Sequence, residues 1–111
     1  MESFLYLKTR GRNTGVWRRL EVWFVEVSGS FYLLADARER PDWLQNIEAN
    51  ALVRFSIGTR RNETSALRQV EGRGRVLDET QHTELCTRVR ASMYAKYRWS
   101  SGTIVELAVA S

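Results

Sequence analysis

The residues whose types and spacing could do chemistry begin in a short basic segment. Residues 8–19, with the sequence KTRGRNTGVWRR, hold five positive charges beside two glycines: Lys8, Arg10, Arg12, Arg18 and Arg19 around Gly11 and Gly15. A turn with two glycines can present backbone N–H groups in a concave nest that binds anions. Thr14 adds a hydroxyl, and arginine forms charge-assisted, often bidentate hydrogen bonds. The residue types leave two interpretations open, a phosphate-binding turn and a solvated basic hairpin turn.

A second group of candidate residues is aromatic. The segment SMYAKYRWSSG contains Tyr94, Tyr97 and Trp99 around Lys96 and Arg98, at the end of a predicted helix where cations complement the helix dipole. These rings either cover one end of a barrel or form a ligand site. In a ligand site, a tyrosine facing a flat cofactor is able to donate a proton to a substrate after hydride transfer.

Several other kinds of site are not indicated by the sequence. His82 is the only histidine, so there is no Cys/His ligand cluster and no Ser/His arrangement, and we predict no metal site. Cys86 is the only cysteine and lies on an apolar helical stripe, which indicates a buried structural thiol. The segments RGRNTG and EGRGRV both lack the residues that complete a P-loop or a dinucleotide-binding turn.

Length and composition favour one globular domain spanning residues 1–111. Hydrophobic residues make up 43% of the chain and charged residues 27%, close to the average for globular proteins. No segment approaches the ~20 apolar residues of a membrane span, and the first residues do not form a secretory signal, so we expect a cytoplasmic protein. The net charge of +4 is weak evidence for nucleic acid, and the basic turn is too compact to follow a nucleic-acid backbone.

Hydrophobic periodicity predicts a mainly β protein of the α+β class. We predict about six strands, at residues 4–9, 18–26, 31–35, 53–57, 65–77 and 103–109, with a tight hairpin at Ser28-Gly29 and a loop over 58–63. One short helix is predicted within residues 38–50, with Pro41 at its first helical position and Asn50 at its end. A second helix is predicted from Asp78, with Gln81 at capping-box spacing, to Tyr97. Short links between strands favour a small, mostly antiparallel barrel with the helices at its rim.

The order of these motifs resembles the deazaflavin-dependent nitroreductase and quinone reductase family. The resemblance runs through TRGRNTG, VWFVEVSGSFYLLA, PDWLQNIEANALVRF, GRVLD and SSGTIVELAV, and so covers nearly the whole chain. That family is a branch of the flavin-binding split barrels, which include the pyridoxamine phosphate oxidases. The resemblance implies a split β-barrel of the FMN-binding type and a homodimer.

The same resemblance implies which residues bind a coenzyme. The family's T-x-G-R-x-[ST]-G segment binds the phosphate-bearing tail, and its P-x-W-x-x-N helix lies near it. Together with the charge of the basic turn, this implicates Arg10, Gly11, Arg12, Asn13, Thr14, Gly15, Arg18, Trp43 and Asn46. Asn13 stands where many relatives have lysine, which removes one charge. Tyr94 and Tyr97 correspond to family tyrosines on the substrate side, and we predict them as catalytic residues.

The implied function is an oxidoreductase that uses a reduced deazaflavin coenzyme of the F-420 type. Hydride would pass to an electron-poor small molecule such as a quinone, a nitro compound or an activated alkene. Two alternatives stay open. One is an FMN-dependent oxidoreductase of the pyridoxamine phosphate oxidase type, and the other is a flavin- or haem-binding module without catalysis.

Overall fold

The computed structural model describes residues 4–36, 38–58 and 69–109. These residues form seven strands and two helices. In chain order they are β1 (Phe4–Arg10), β2 (Trp17–Val22), β3 (Val25–Val27), β4 (Ser30–Ala35), α1 (Asp42–Ala49), β5 (Leu52–Gly58), β6 (Val70–Val76), α2 (Thr83–Tyr97) and β7 (Thr103–Val109).

The strands form a single curled antiparallel sheet. Its order is β2-β1-β5-β6-β7-β4-β3, so the two edge strands, β2 and β3, are neighbours in sequence. Only Trp23 and Phe24 separate them, and residues three apart in the chain are at most ~11 Å apart. The sheet therefore curls until its two edges approach each other, which gives a barrel that is split between β2 and β3.

The inner face of the sheet packs around α1. Leu5, Leu7, Val53 and Phe55 point inward, as their cross-strand pairing requires, and the core also includes Trp43, Leu44 and Ile47 of α1. Gly74 of β6 allows this helix to approach closely, because a Cβ there would lie 2.9 Å from Cγ2 of Ile47. Of the two glycines predicted to bend this strand, Gly74 therefore makes room for the helix, whereas a Cβ on Gly72 would lie 2.4 Å from the Ala108 carbonyl oxygen.

A second core lies on the opposite face of the sheet, where α2 packs on β3, β4 and β7. Cys86, Val89 and Met93 form the buried stripe of α2, as the sequence predicted, and they pack with Tyr32 and Ile104. Strands β4 and β7 are consequently buried on both faces. Cys86 is a free buried thiol whose pKa is raised by burial.

The predicted strand 18–26 is wrong as one element, because it is divided into β2 and β3. The cause lies at Phe24, where α2 supplies the hydrogen bonds that a neighbouring strand would otherwise provide. Its N–H donates to the Tyr97 hydroxyl over 3.2 Å, and its carbonyl accepts from Lys96 Nζ over 2.9 Å. The strand count is therefore seven rather than six.

Both helices begin later than predicted. Asp78 does not cap α2: its Oδ1 accepts hydrogen bonds from the N–H and the hydroxyl of Thr80, which closes a local turn, and α2 begins at Thr83. Helix α1 begins at Asp42, with Pro41 in the N-cap position.

The predicted hairpin at Ser28-Gly29 is confirmed, with φ of 53° and 86°. Residues 59–63 of the predicted loop and 65–68 of the fifth predicted strand lie outside the described residues.

Candidate functional site

The basic segment forms a tight turn between β1 and β2. The Gly11 N–H donates to the Val16 carbonyl over 2.9 Å, and the Gly15 N–H donates to the Gly11 carbonyl over 2.8 Å. Gly15 has φ of 73°, a conformation that favours glycine. A Cβ on Gly11 would lie 2.6 Å from Oγ1 of Thr14, so a larger residue there would displace the Thr14 hydroxyl.

Helix α1 holds the turn in place through Asn46. The Oδ1 of Asn46 accepts from the Arg12 N–H over 3.2 Å and from Arg12 Nη1 over 2.8 Å. Its Nδ2 donates to the hydroxyl of Thr9 over 3.1 Å, and both Asn46 and Thr9 are buried. Arg12 Nη2 also donates to the Asp42 carboxylate over 3.3 Å. The turn is thus attached to the first and second turns of the helix.

A cleft of about 180 Å³ opens between the turn and α1. We call it the arginine cleft. It is lined by Gly11, Arg12, Asn13, Thr14, Arg18, Asp42 and Asn46.

The arginine cleft contains hydrogen-bond donors that the fold does not use. In the described part of the chain, the N–H groups of Asn13 and Thr14 have no hydrogen-bond partner, and Arg18 forms no ion pair. The Thr14 Oγ1 accepts a hydrogen bond from the Val16 N–H over 3.2 Å, which leaves its own hydrogen available as a donor. Asp42 is the opposing charge, with its carboxylate side chain 87% exposed beside Arg12. The open donors are adjacent backbone amides, a hydroxyl and a guanidinium, the donor set that suits phosphate.

The structure brings most of the predicted coenzyme-binding residues together in this cleft, but three of them lie elsewhere. Arg10 braces the turn, because its Nε donates to the Gly15 carbonyl over 3.2 Å. Gly15 closes the turn without lining the cleft, and Trp43 lies in the inner core. Asp42 was not predicted as a site residue. Its position in the first helical turn was the only sequence signal, and its contact with Arg12 spans 30 residues.

The two predicted catalytic tyrosines lie on α2, and neither lines the arginine cleft. The Tyr97 hydroxyl accepts from the Phe24 N–H and donates to the Phe24 carbonyl, each over 3.2 Å. Its ring stacks on Trp23 with a centroid separation of 4.5 Å and an interplanar angle of 4°. Tyr94 is 51% exposed, and the guanidinium of Arg98 lies 5.7 Å from its ring centroid. A catalytic role for either tyrosine stays a prediction.

Among the described residues, neither helix has the length and apolar character needed to cross a membrane. The His, Cys, Asp and Glu side chains of the same residues form no group of three that could hold a metal ion.

Solved structures with low sequence identity share this fold. The heme storage protein HutZ from Vibrio cholerae is 16% identical, with a TM-score of 0.74 over 97% of this chain and 82% of that one. A FAD-binding protein from Mesorhizobium loti is 12% identical, with a TM-score of 0.72 over 99% and 83% of the two chains. A candidate pyridoxamine 5'-phosphate oxidase from Listeria innocua is 8% identical, with a TM-score of 0.70 over 97% and 84%. These similarities confirm the predicted split-barrel fold.

Sequence comparison identifies the family. No curated protein matches the sequence. The model of the F420H(2)-dependent quinone reductase family matches residues 1–110, nearly the whole chain. This match confirms the resemblance inferred from the order of the motifs. The chain therefore belongs to the F420H(2)-dependent quinone reductase family.

Proposed function

We propose that this protein is a reductase that binds a reduced deazaflavin coenzyme and directs its hydride to an electron-poor acceptor. Quinones, nitro compounds and activated alkenes are the acceptors that this chemistry allows. One structural observation carries the proposal: unused hydrogen-bond donors converge in the arginine cleft of a chain from an F420H(2)-dependent family. A coenzyme with a phosphate-bearing tail supplies the anion that such donors require.

In this proposal each residue of the basic turn has a separate task. The backbone amides of Asn13 and Thr14, the Thr14 hydroxyl and the Arg18 guanidinium bind the phosphate. Arg12 is already held by Asp42 and Asn46, so it contributes its remaining N–H groups and fixes the turn. The more remote residues support this arrangement: Arg10 braces the turn, Gly11 and Gly15 shape it, and Trp43 and Asn46 hold α1 beside it.

The coenzyme supplies the hydride when bound, and the protein supplies orientation and charge. Tyr94 and Tyr97 remain our candidates for the substrate side. The Tyr97 hydroxyl is occupied on both sides by Phe24, which suits a positioning role, whereas no hydrogen bond occupies the Tyr94 hydroxyl in the described part of the chain. Tyr94 is therefore the better candidate proton donor of the two.

A titration with Arg18→Ala and Arg19→Ala tests the coenzyme site. The two residues are adjacent on β2, but Arg18 lines the cleft, whereas Arg19 lies on the opposite face with its guanidinium 4.9 Å from the Tyr6 ring centroid. Loss of a charged hydrogen bond costs about 1.5–3 kcal/mol, so Arg18→Ala should weaken deazaflavin binding by roughly 10- to 150-fold. Arg19→Ala should bind as the parent does. Equal affinity in the parent and Arg18→Ala would exclude the proposed anchor.

An FMN-dependent oxidoreductase is the second candidate, because FAD-binding proteins and pyridoxamine phosphate oxidase relatives share the fold. Parallel titration of the protein with deazaflavin, FMN and FAD, followed by the fluorescence of the ring, distinguishes the two. A yellow purified protein that retains FMN would favour the alternative.

We also propose a cytoplasmic homodimer, and sedimentation equilibrium tests its oligomeric state.

A further inference from the structure

Strand β2 is a free edge of the sheet, and it is longer than the other edge. Among the described residues it pairs only with β1, at each of its positions from Trp17 to Val22. The other edge, β3, has three residues, and two of them, Val25 and Val27, pack in the core beneath α2. An edge strand presents unpaired N–H and carbonyl groups, to which another strand can bind. Of the two edges, β2 is therefore the one that a further strand can extend.

The ladder between β1 and β2 decides which backbone groups of β2 face the free edge. The Gly11 N–H donates to the Val16 carbonyl, so these two residues close the hairpin as a hydrogen-bonded pair. Hydrogen-bonded and non-hydrogen-bonded pairs alternate along an antiparallel ladder. Every second residue of β2 consequently bonds to β1, and the backbone groups of the alternate residues face the free edge. Those alternate residues are Trp17, Arg19 and Glu21.

The side chains of β2 alternate between the two faces of the sheet. Those of Leu20 and Val22 are half-buried on the inner face, where they pack against the core. Those of Arg19 and Glu21 are exposed on the outer face. The edge therefore presents two opposite charges two residues apart, and the backbone groups of the same two residues face outward from the edge.

A second copy of β2 complements this edge in one register. A two-fold axis perpendicular to the sheet places one residue opposite its own counterpart. If that residue is Leu20, each Arg19 lies opposite Glu21 of the other copy. If it is Arg19 or Glu21 instead, identical charges lie directly opposite each other, which destabilises a sheet. Centres nearer either end of the strand pair fewer residues.

We propose that β2 pairs antiparallel with β2 of a second copy of this chain, with Leu20 opposite Leu20, and joins the two sheets into one. This inference rests on the homodimer proposed above and names its interface. Each of the two Arg19–Glu21 pairs exchanges two backbone hydrogen bonds and brings opposite charges together. The two Leu20 side chains meet in a non-hydrogen-bonded pair, where cross-strand side chains lie closest.

The test measures the monomer–dimer equilibrium by analytical ultracentrifugation. Arg19→Glu and Glu21→Arg each place like charges opposite each other, and each should weaken dimerisation by roughly 10-fold or more. A 1:1 mixture of the two variants should dimerise as the parent does, because both pairs between unlike copies again join opposite charges. Arg73→Glu is the matched control: it changes the charge equally, and Arg73 is exposed on β6, which is not an edge strand.

A disulfide tests the register. Oxidised Leu20→Cys should form a covalent dimer, because the Cα atoms of a non-hydrogen-bonded pair lie about 4.5 Å apart, within the range of a disulfide. Arg19→Cys should not, since its counterpart is displaced by two residues along the strand. The native thiol of Cys86 is buried and does not compete. Denaturing electrophoresis without reductant measures the covalent dimer.

Each outcome separates the interface from the homodimer itself. A dimer that Arg19→Glu leaves intact would overturn the proposed interface, as would a mixture of the two charge variants that stays monomeric. Equal cross-linking of Leu20→Cys and Arg19→Cys would overturn the register. A monomeric parent would overturn both the interface and the homodimer. Dimerisation is measured without coenzyme, so a failure of the Arg18 titration is distinguishable from all of these results.

Discussion

The hydroxyl of Tyr97 bonds to both backbone groups of Phe24, accepting from its N–H and donating to its carbonyl, each over 3.2 Å. This pair of bonds joins the end of α2 to the link between the two sheet edges. Trp23, the other residue of the link, stacks on the Tyr97 ring. The end of α2 therefore fixes the geometry of the split in the barrel.

Tyr97→Phe should lower the free energy of unfolding by about 1–2 kcal/mol, because the Phe24 N–H loses its partner while the stacked ring remains. Urea unfolding measures this change. Tyr94→Phe is the control, since Tyr94 is exposed, and its effect should stay within about 0.5 kcal/mol. Equal stability of the two variants would show that the Phe24 contacts contribute nothing measurable. A loss of turnover in Tyr94→Phe without a loss of stability would instead support Tyr94 as proton donor.

The strands could be predicted because alternating side chains mark the faces of a sheet, but the division of the second strand could not. Residues 18–26 have the alternation of one strand. The interruption comes from Tyr97, which lies 73 residues from Phe24 in the chain. The late start of α2 has a local cause: the Asp78 side chain bonds to Thr80 instead of capping the helix. Sequence spacing does not decide between these two bonding patterns.

The candidate site was predictable to a similar extent. Two glycines among arginines predicted the turn, and Gly11 and Gly15 have the steric reasons that such a turn requires. The partners of Arg12 were not predictable, because Asp42 and Asn46 come from a helix that the fold brings beside the turn. Their contacts occupy two of the five guanidinium N–H groups of Arg12, so this predicted phosphate ligand is partly committed to holding the turn.

Asn46→Ala should both destabilise the fold and weaken coenzyme binding. The substitution removes the acceptor for Arg12 and leaves the buried Thr9 hydroxyl without its partner, which costs about 1–3 kcal/mol. Unfolding in urea and deazaflavin titration measure the two effects. Asn50→Ala is the matched control at the end of the same helix, where the exposed Asn50 side chain accepts only from the Leu52 N–H. Unchanged coenzyme affinity in Asn46→Ala would show that the turn held by Asn46 does not bind the coenzyme.

Tyr32 makes the free energy of unfolding depend on pH in the alkaline range. Burial raises the pKa of Tyr32 above its usual value of 10.0, and its hydrogen bond to Glu106 adds to the shift. Because the folded-state pKa is raised, the contribution of Tyr32 is fully present below the unfolded pKa and is lost as pH rises through the folded pKa.

The parent should therefore be more stable than Tyr32→Phe at about pH 8, and this difference should shrink above about pH 10. Urea unfolding of both proteins across this range measures it, and the comparison cancels titrations that the two proteins share. A difference that stays constant to about pH 11 would contradict the predicted linkage.

Arg90 ties α2 to the turn that precedes β7. Its Nη2 donates to the Gly102 carbonyl over 2.9 Å, its Nη1 donates to the Ser100 carbonyl, and its Nε donates to the Glu79 carboxylate over 2.8 Å. Gly102 has φ of 112°, and a Cβ there would lie 2.4 Å from the Ala35 carbonyl oxygen, so this turn has little freedom to rearrange. The guanidinium thus donates to two backbone carbonyls, and no other described group takes over as their donor if Arg90 is removed.

Arg90→Met should lower the free energy of unfolding by about 1.5–3 kcal/mol, because methionine keeps the apolar stem and loses the charged hydrogen bonds. Arg88→Met is the control, since Arg88 is exposed on the same helix and forms no ion pair among the described residues. Salt separates the contributions: at about 1 M NaCl the exposed Glu79 pair is screened, whereas the bonds to the carbonyls persist. Most of the Arg90→Met deficit should therefore remain at high salt, and its disappearance would assign the stabilisation to Glu79 alone.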